Sequence, residues 1–423
     1  MHYLDANASE PLRPEAAAAM IAALAVTGNP SSVHAAGRAV RRVVEDAREK
    51  IAARFGARSQ DVVFTSGGTE ADALAVHALG SGRRIMIGAT EHDAIRAAAP
   101  GAAVLPVDGQ GAADLEALRA WLAAGPEALV CLMLANNETG TIQPVAEAAA
   151  LCRAHGAWLH VDAVQAAGRL PVDLRALGCH SLAFSAHKMG GPAGVGALVL
   201  SPEVSAIAPL IAGGGQERGR RGGTPALVLI AGFAAVCGAI VDQGRLAALR
   251  DRLEAFAVSQ GAVVCGAGGP RLANTTALAL AGVRAETQVI ALDMAGFAVS
   301  AGAACSSGKV QASPVLLAMG FGELAGQAIR VSLPWDVSVE AVEAFGLAYA
   351  GMAARLRPGL RPATPPGAPP LDPARCRAPG PHPLVTPWSV SKGEPLVEVQ
   401  EAKPPGGFQG SALTFPPLKD HAP

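Results

Sequence analysis

Charge is scarce in this 423-residue sequence. Asp, Glu, Lys and Arg make up 16% of it, and the formal net charge is −1. No acidic or basic excess exists to attract a polyion, so nucleic acid is not an expected partner. The seven cysteines form no CxxC pair and no repeated His/Cys spacing. That argues against a disulfide scaffold or a resident metal and for a reducing compartment. The N-terminus, MHYLDANASE, has neither a basic start nor an apolar core. No signal peptide is expected there, and a cytoplasmic protein is. One uncharged run, Pro225 to Val241, sits at the lower length limit for a membrane span. Its small residues favour a buried helix packed between layers, so no membrane partner is expected. No internal repeat is visible.

What is present is apolar and alternating. Hydrophobic residues make up 50% of the chain, and its length supports two or three sizeable cores. Apolar β-rich runs alternate with Ala-rich helical ones: DVVFTS then EADALAVHAL, RRIMIGAT then EHDAIRAAA, ALVCLMLAN then VAEAAALCRAHG. AWLHVDAV, SLAFSAH and VGALVLS add further strands. This pattern predicts an α/β fold, a mostly parallel sheet with helices on both faces. In such sheets chemistry gathers at the carboxyl ends of the strands. Beyond about residue 245 an amphipathic helix, shorter strands and a closing helix predict a smaller α+β domain. The expected divisions are an N-terminal arm at 1–12, a large cofactor-binding domain at 13–245, a small domain at 246–357 and a tail at 358–423. The tail holds 17 of the 32 prolines and shows no strand or helix period, so it reads as disordered.

Several residues stand where chemistry would need them. Lys188, in FSAHKMGGPAGVGAL, ends an apolar strand and meets a Gly-rich turn. A lysine in such a desolvated place has a lowered pKa and can form a Schiff base; an exposed loop lysine is the ordinary alternative. Asp162 ends the preceding strand, where a carboxylate needs a cation such as a protonated pyridine nitrogen, or a helix start to cap. FTSGGTEADAL joins a strand to a helix through a Gly-Gly turn. With Thr69 it can cradle an anion or be a plain turn, and without GK[ST] it is no nucleotide P-loop. His92 follows another strand and can stack on a ring, shuttle a proton or cap a helix. Cys305 lies in a Gly/Ser-rich segment that suits a reactive thiol. Arg330 is a charge within an apolar strand, a natural fork for a carboxylate or half of a salt bridge.

Taken together and in order, these motifs resemble the cysteine desulfurases of the class V aminotransferase group. The match runs through YLDANAS, GNPSSVHAAGR, VVFTSGGTEADALA, TEHDAI, NNETGTIQPV, HVDAVQAAGRLPVD, FSAHKMGGPAGVGAL, GGGQERGRRGGT, SAGAACSSGKV and IRVSL. It covers about residues 3 to 355. The resemblance implies pyridoxal-phosphate fold type I and pyridoxal 5′-phosphate as cofactor. It makes Lys188 the Schiff-base lysine, Asp162 the partner of the pyridine nitrogen and His92 the ring-stacking residue. Gly68, Thr69, Ser185 and His187 would hold the phosphate, joined by Thr224 from the other subunit of a homodimer. Asn137 and Gln165 would contact the ring, Gln165 at its phenolic oxygen. Arg330, helped by Asn274, would bind the substrate carboxylate. Cys305 would take sulfur from L-cysteine as a persulfide, leaving L-alanine, and pass it to a sulfur-acceptor or scaffold protein of iron–sulfur or thio-cofactor assembly. Cys305 would be at most a transient cluster ligand. A selenocysteine lyase or another class V aminotransferase is the alternative. Three places depart from the family pattern: ANASE near the start, Ala186 where glycine is common, and Pro314 where a histidine or aromatic residue is usual.

Overall fold

The computed structural model describes residues 1–125, 127–204, 206–239, 241–302 and 311–357. Cys305 and the tail 358–423 lie outside these residues. A short first strand, β1 (His2–Tyr3), precedes the main sheet. That sheet is built from β2 (Val62–Thr65), β3 (Arg84–Gly88), β4 (Ala103–Leu105), β5 (Ala128–Cys131), β6 (Trp158–Asp162), β7 (Ser181–Ser185) and β8 (Gly196–Leu200). Their spatial order is β2-β8-β7-β6-β5-β3-β4. Only β8 runs antiparallel to its neighbours.

The strands are apolar on both sides because both sheet faces are covered. Alternate residues point to opposite faces. Thus Ala128 and Val130 of β5 join a core with Ile51, Phe55, Leu159 and Phe184. Leu129 and Cys131 of the same strand join another with Leu74, Leu79, Ile87 and Leu198. Crossover helices follow the strands, among them Gly68–Gly80 after β2, Asp93–Ala98 after β3 and Val145–Ala154 after β5.

After residue 245 the pattern changes as the sequence suggests. Strands β9 (Val263–Cys265), β10 (Thr275–Ala279), β11 (Phe297–Ala298), β12 (Ser300–Ala301) and β13 (Ala328–Ser332) follow. Four of them form an antiparallel sheet, β12-β13-β10-β9. Helices Gln243–Ser259 and Val339–Leu356 supply Leu253, Phe345 and Tyr349 to its core. The uncharged run after Pro225 forms the ten-residue helix Leu227–Val236, with Ile230 and Phe233 buried. No helix among the described residues is long and apolar enough to cross a membrane.

The N-terminal segment is stitched to β11 and β13. β1 pairs in parallel with β11. Asp5 bridges to Ser332, and the Asn7 N–H donates to Ser332 Oγ at 2.9 Å. Two departures from the family pattern are absorbed locally. The Ala186 methyl is fully buried, and Gly191 makes room for it: a Cβ there would lie 3.0 Å from Ala186 Cβ. Pro314 opens the helix Pro314–Ala318 behind the cap Ser313, a position where its missing N–H costs nothing.

Candidate active site

The carboxyl ends of β6 and β7 open into a cavity of about 380 Å³, within the range of small-molecule sites. Ten of the thirteen residues singled out above line it: Gly68, Thr69, His92, Asn137, Asp162, Gln165, Ser185, His187, Lys188 and Arg330. Of the other three, Thr224 lies exposed on the Gly/Arg-rich loop and Cys305 is not among the described residues. Asn274 is buried behind the N-terminal segment, where its amide donates to Asn7 Oδ1 and Leu333 O. It lines a narrow neighbouring cleft with Glu10 and Lys188.

Lys188 closes a short turn, Ala186–Lys188, directly after β7. Its Nζ donates to Asn7 O at 2.5 Å and Ala8 O at 3.0 Å. Burial, reinforced by Arg330 and Arg169, lowers its pKa to about 8. The amine is therefore readily freed of its proton, as a nucleophile or base must be. Asp162, the last residue of β6, accepts the Val164 N–H at 2.8 Å and makes no ion pair among the described residues. Burial raises its pKa, while Val164, His92 and Lys188 act in the opposite direction. A buried carboxylate that awaits a cation is the partner a protonated ring nitrogen requires.

The Gly-Gly turn leads into an open helix start. Helix Gly68–Gly80 starts at Gly67 with no side-chain cap, so its first N–H groups stay free for a ligand. Ser185, Thr69 and His187 line the same cavity. Burial lowers the His187 pKa to about 4, so its imidazole is neutral at pH 7. Glycine at 68 is sterically required: a Cβ there would lie 2.7 Å from Val164 Cγ2. His92 caps helix Asp93–Ala98, its Nδ1 accepting the Ala94 N–H at 3.2 Å. Capping and cavity lining are thus the same placement, since Nε2 is left for the cavity. Arg330, on β13, donates to Asn137 O at 3.2 Å and to Asp5 Oδ1 at 2.7 Å. Its Nε is buried without a partner among the described residues. A carboxylate bound there would meet a guanidinium with one donor still to satisfy.

The family profile for class-V aminotransferases matches residues 2–345. An IscS-like cysteine desulfurase of Mycobacterium tuberculosis is 40% identical over 384 residues, covering 84% of this chain and 97% of the relative. A cysteine desulfurase of Cereibacter sphaeroides is 43% identical, covering 80% and 92%. The chain belongs to the cysteine desulfurase family. The solved NifS-like protein of Rickettsia africae superposes with a TM-score of 0.77 at 33% identity, over 83% of this chain and 99% of that one. The large sheet with helices on both faces is therefore the pyridoxal-phosphate fold of type I. Cysteine desulfurases depend on that cofactor, and the donor set here fits it. An unpaired buried carboxylate, an uncapped helix start ringed by hydroxyls and a lysine of lowered pKa converge on one cavity.

Two groups of lining residues carried no role in the sequence reading. Asn7 and Ala8 belong to the N-terminal segment and offer Lys188 their main-chain carbonyls, which residue identity does not reveal. Asp72 lies under the cavity, with His160 Nε2 at 3.1 Å from its Oδ1 and Ser181 Oγ at 2.8 Å from the His160 Nδ1. Burial first, then Asp162 and Glu91, push the Asp72 carboxyl well up. Its signal was readable: a carboxylate within the apolar helical run EADALAV, and a histidine two residues before Asp162 on the same strand face.

Proposed function

We propose that this chain is a pyridoxal-phosphate-dependent cysteine desulfurase that converts L-cysteine to L-alanine and hands sulfur onward from Cys305. The observation that carries the reading is the convergence of Lys188, Asp162 and the helix Gly68–Gly80 start on one cavity with Arg330 at its edge. When bound, the cofactor supplies an electron sink for the substrate Cα. Lys188 would hold it covalently and, as a free amine, would take the Cα proton. Asp162 keeps the ring nitrogen protonated. The free N–H groups at Gly68 and the side chains of Thr69, Ser185 and His187 hold the phosphate. His92 stacks on the ring and manages the thiol proton of the substrate through Nε2. Asn137 and Gln165 fix the ring edge. Arg330 binds the substrate carboxylate while Asn274 steadies Asn7 behind it. The Cys305 thiolate then forms an S–S bond to the substrate sulfur as the Cβ–S bond breaks. The bond's electron pair stays with the carbon skeleton, which is protonated and leaves as alanine.

We infer a homodimer in which Thr224 reaches the partner's phosphate, and a cytoplasmic enzyme that gives its sulfur to an acceptor or scaffold protein. The division into domains at 13–245 and 246–357 belongs to the same reading. The test is incubation of purified protein with L-cysteine, with and without a thiol reductant. Equal alanine and sulfide in the presence of reductant, and a persulfide mapped to Cys305 in its absence, are expected. Alanine formation that survives Cys305→Ser unchanged would refute the assignment. A fully active monomer in sedimentation would refute the role of Thr224.

A further inference from the structure

Glu10 belongs to the ANASE run that departs from the family pattern, and its contacts lead into the site. Its Oε2 accepts from Arg169 Nη2 at 3.1 Å, and its Oε1 accepts the Trp335 N–H at 2.8 Å. Its own N–H donates to His187 O at 2.8 Å. Both charged side chains are buried, at 5% exposure for Arg169 and 7% for Glu10. A buried arginine needs such a partner, and this one is gripped from three sides. The other guanidinium nitrogen, Nη1, donates to Gln165 O at 3.0 Å and to the Gln165 side chain at 2.5 Å.

A guanidinium has only donors. The Gln165 atom facing it is therefore the amide oxygen, and the orientation of that amide is decided. Its nitrogen, Nε2, lies on the other branch. One N–H goes to Asn7 O at 3.0 Å, and the second is left for the cavity that Gln165 lines. Flipping the amide would set N–H against N–H at Arg169 and oxygen against oxygen at Asn7. The charged and titratable groups of the cavity are Asp72, His92, Asp162, His187, Lys188 and Arg330, with Asp5 paired to Arg330 and Glu10 to Arg169. Apart from Arg169, none of them hydrogen-bonds to the Gln165 amide among the described residues.

We propose that Arg169, held by Glu10, is a positioning residue that locks the Gln165 amide nitrogen toward the phenolic oxygen of the cofactor. The proposal rests on the pyridoxal-phosphate reading above and on Gln165 as the residue at that oxygen. A donor at that point stabilises the oxygen as an anion. Without it the oxygen holds the proton it shares within the cofactor more tightly.

The experiment follows the visible absorbance of the holoenzyme against pH, without substrate, in a double-mutant cycle. Gln165→Ala should raise the midpoint of the absorbance change by about half a unit to one unit. Arg169→Met should raise it in the same direction, and the double variant no further than Gln165→Ala alone. Arg169→Lys, which restores the charge but not the fork, should remain shifted. Glu10→Gln/Arg169→Met leaves no unpaired buried charge and serves if Arg169→Met alone does not fold. Shifts that add in the double variant, or full restoration by Arg169→Lys, would show Arg169 acting through its charge and overturn the proposal. An unshifted Arg169→Met beside a shifted Gln165→Ala would overturn it too and leave the site reading intact. An unshifted Gln165→Ala would remove the contact on which both stand.

Discussion

The carboxyl ends of β6 and β7 meet the N-terminal segment 5–10 at Lys188, and the two contribute in different currencies. The strand ends act through side chains: Asp162, Ser185 and Lys188 itself. The segment acts largely through its main chain. Asn7 O and Ala8 O take the lysine amine, Asn7 O also takes Gln165, and Ala6 O takes Arg169. The segment's side chains add contacts from Asp5 to Arg330, Asn7 to Asn137, Ser9 to His187 and Glu10 to Arg169. Strand ends in a parallel sheet are rigid and suit groups that must not move. A peptide carbonyl accepts without charge, so it can hold an amine near the cavity without keeping it protonated as a carboxylate would.

The largest effect should come from the side-chain half. Lys188→Ala should lose the covalently held cofactor and slow turnover by at least about a thousandfold. Borohydride labelling followed by peptide mapping checks it, and a label on another lysine would break the comparison at its centre. Next is the main-chain half. Removing residues 1–10 should slow alanine formation by about a hundredfold with the fold retained by circular dichroism. Ala8→Ser, which keeps every carbonyl, should stay within about twofold of wild type. A strong loss in Ala8→Ser would mean that the segment acts through side chains after all.

A smaller effect concerns the cradle. Gly68→Ala should weaken cofactor binding about tenfold, because the new methyl meets Val164 Cγ2. Adding Val164→Ala should restore most of the affinity, as read by cofactor titration of the apoprotein. The smallest effect is on stability. The ordinary lysine pKa is 10.5, and in the folded apoprotein that of Lys188 is about 8. Between those values the unfolded chain binds a proton that the folded one does not. Folded stability therefore rises with pH across that window, and the cost of the buried lysine is fully present below about pH 8. Denaturant melts of the apoprotein at pH 7.5 and 9.5 should show the rise, and Lys188→Met should flatten it.

Legibility in the sequence follows the same division. The strands of the large sheet are mostly apolar runs, His160 in β6 apart, and their carboxyl ends at Thr65, Asp162 and Ser185 are polar. The residues at those ends could be named from DVVFTS, LHVDAV and FSAHK alone. Arg330 could be named as well, since a charge inside an apolar strand stands out. The contacts of Asn7 and Ala8 could not, because any residue carries a carbonyl. Asn274 shows a further limit. A polar residue before a strand is visible, but whether it faces the cavity or the back of Asn7 depends on a segment that arrives from the other end of the chain. The run FAVSAGAAC reads as one strand, and β11 and β12 both lie in it; its division into two pieces was beyond reach, since two residues carry no period.

The ion pair between Asp5 and Arg330 joins positions 325 residues apart. During synthesis, which proceeds from the N-terminus at a finite pace, the first half of the site exists long before the second. The large sheet, with Lys188 and Asp162, is complete once β8 has emerged. The segment that supplies the carbonyls can already meet Arg169 and His187 through Glu10, but its anchors at Ser332 and Arg330 do not exist until β13 is made. A ribosome-bound chain that ends before residue 328 thus carries the lysine and its carbonyls but not the Arg330 and Ser332 contacts that pin them. The catalytic centre is therefore finished only after β13 has joined it.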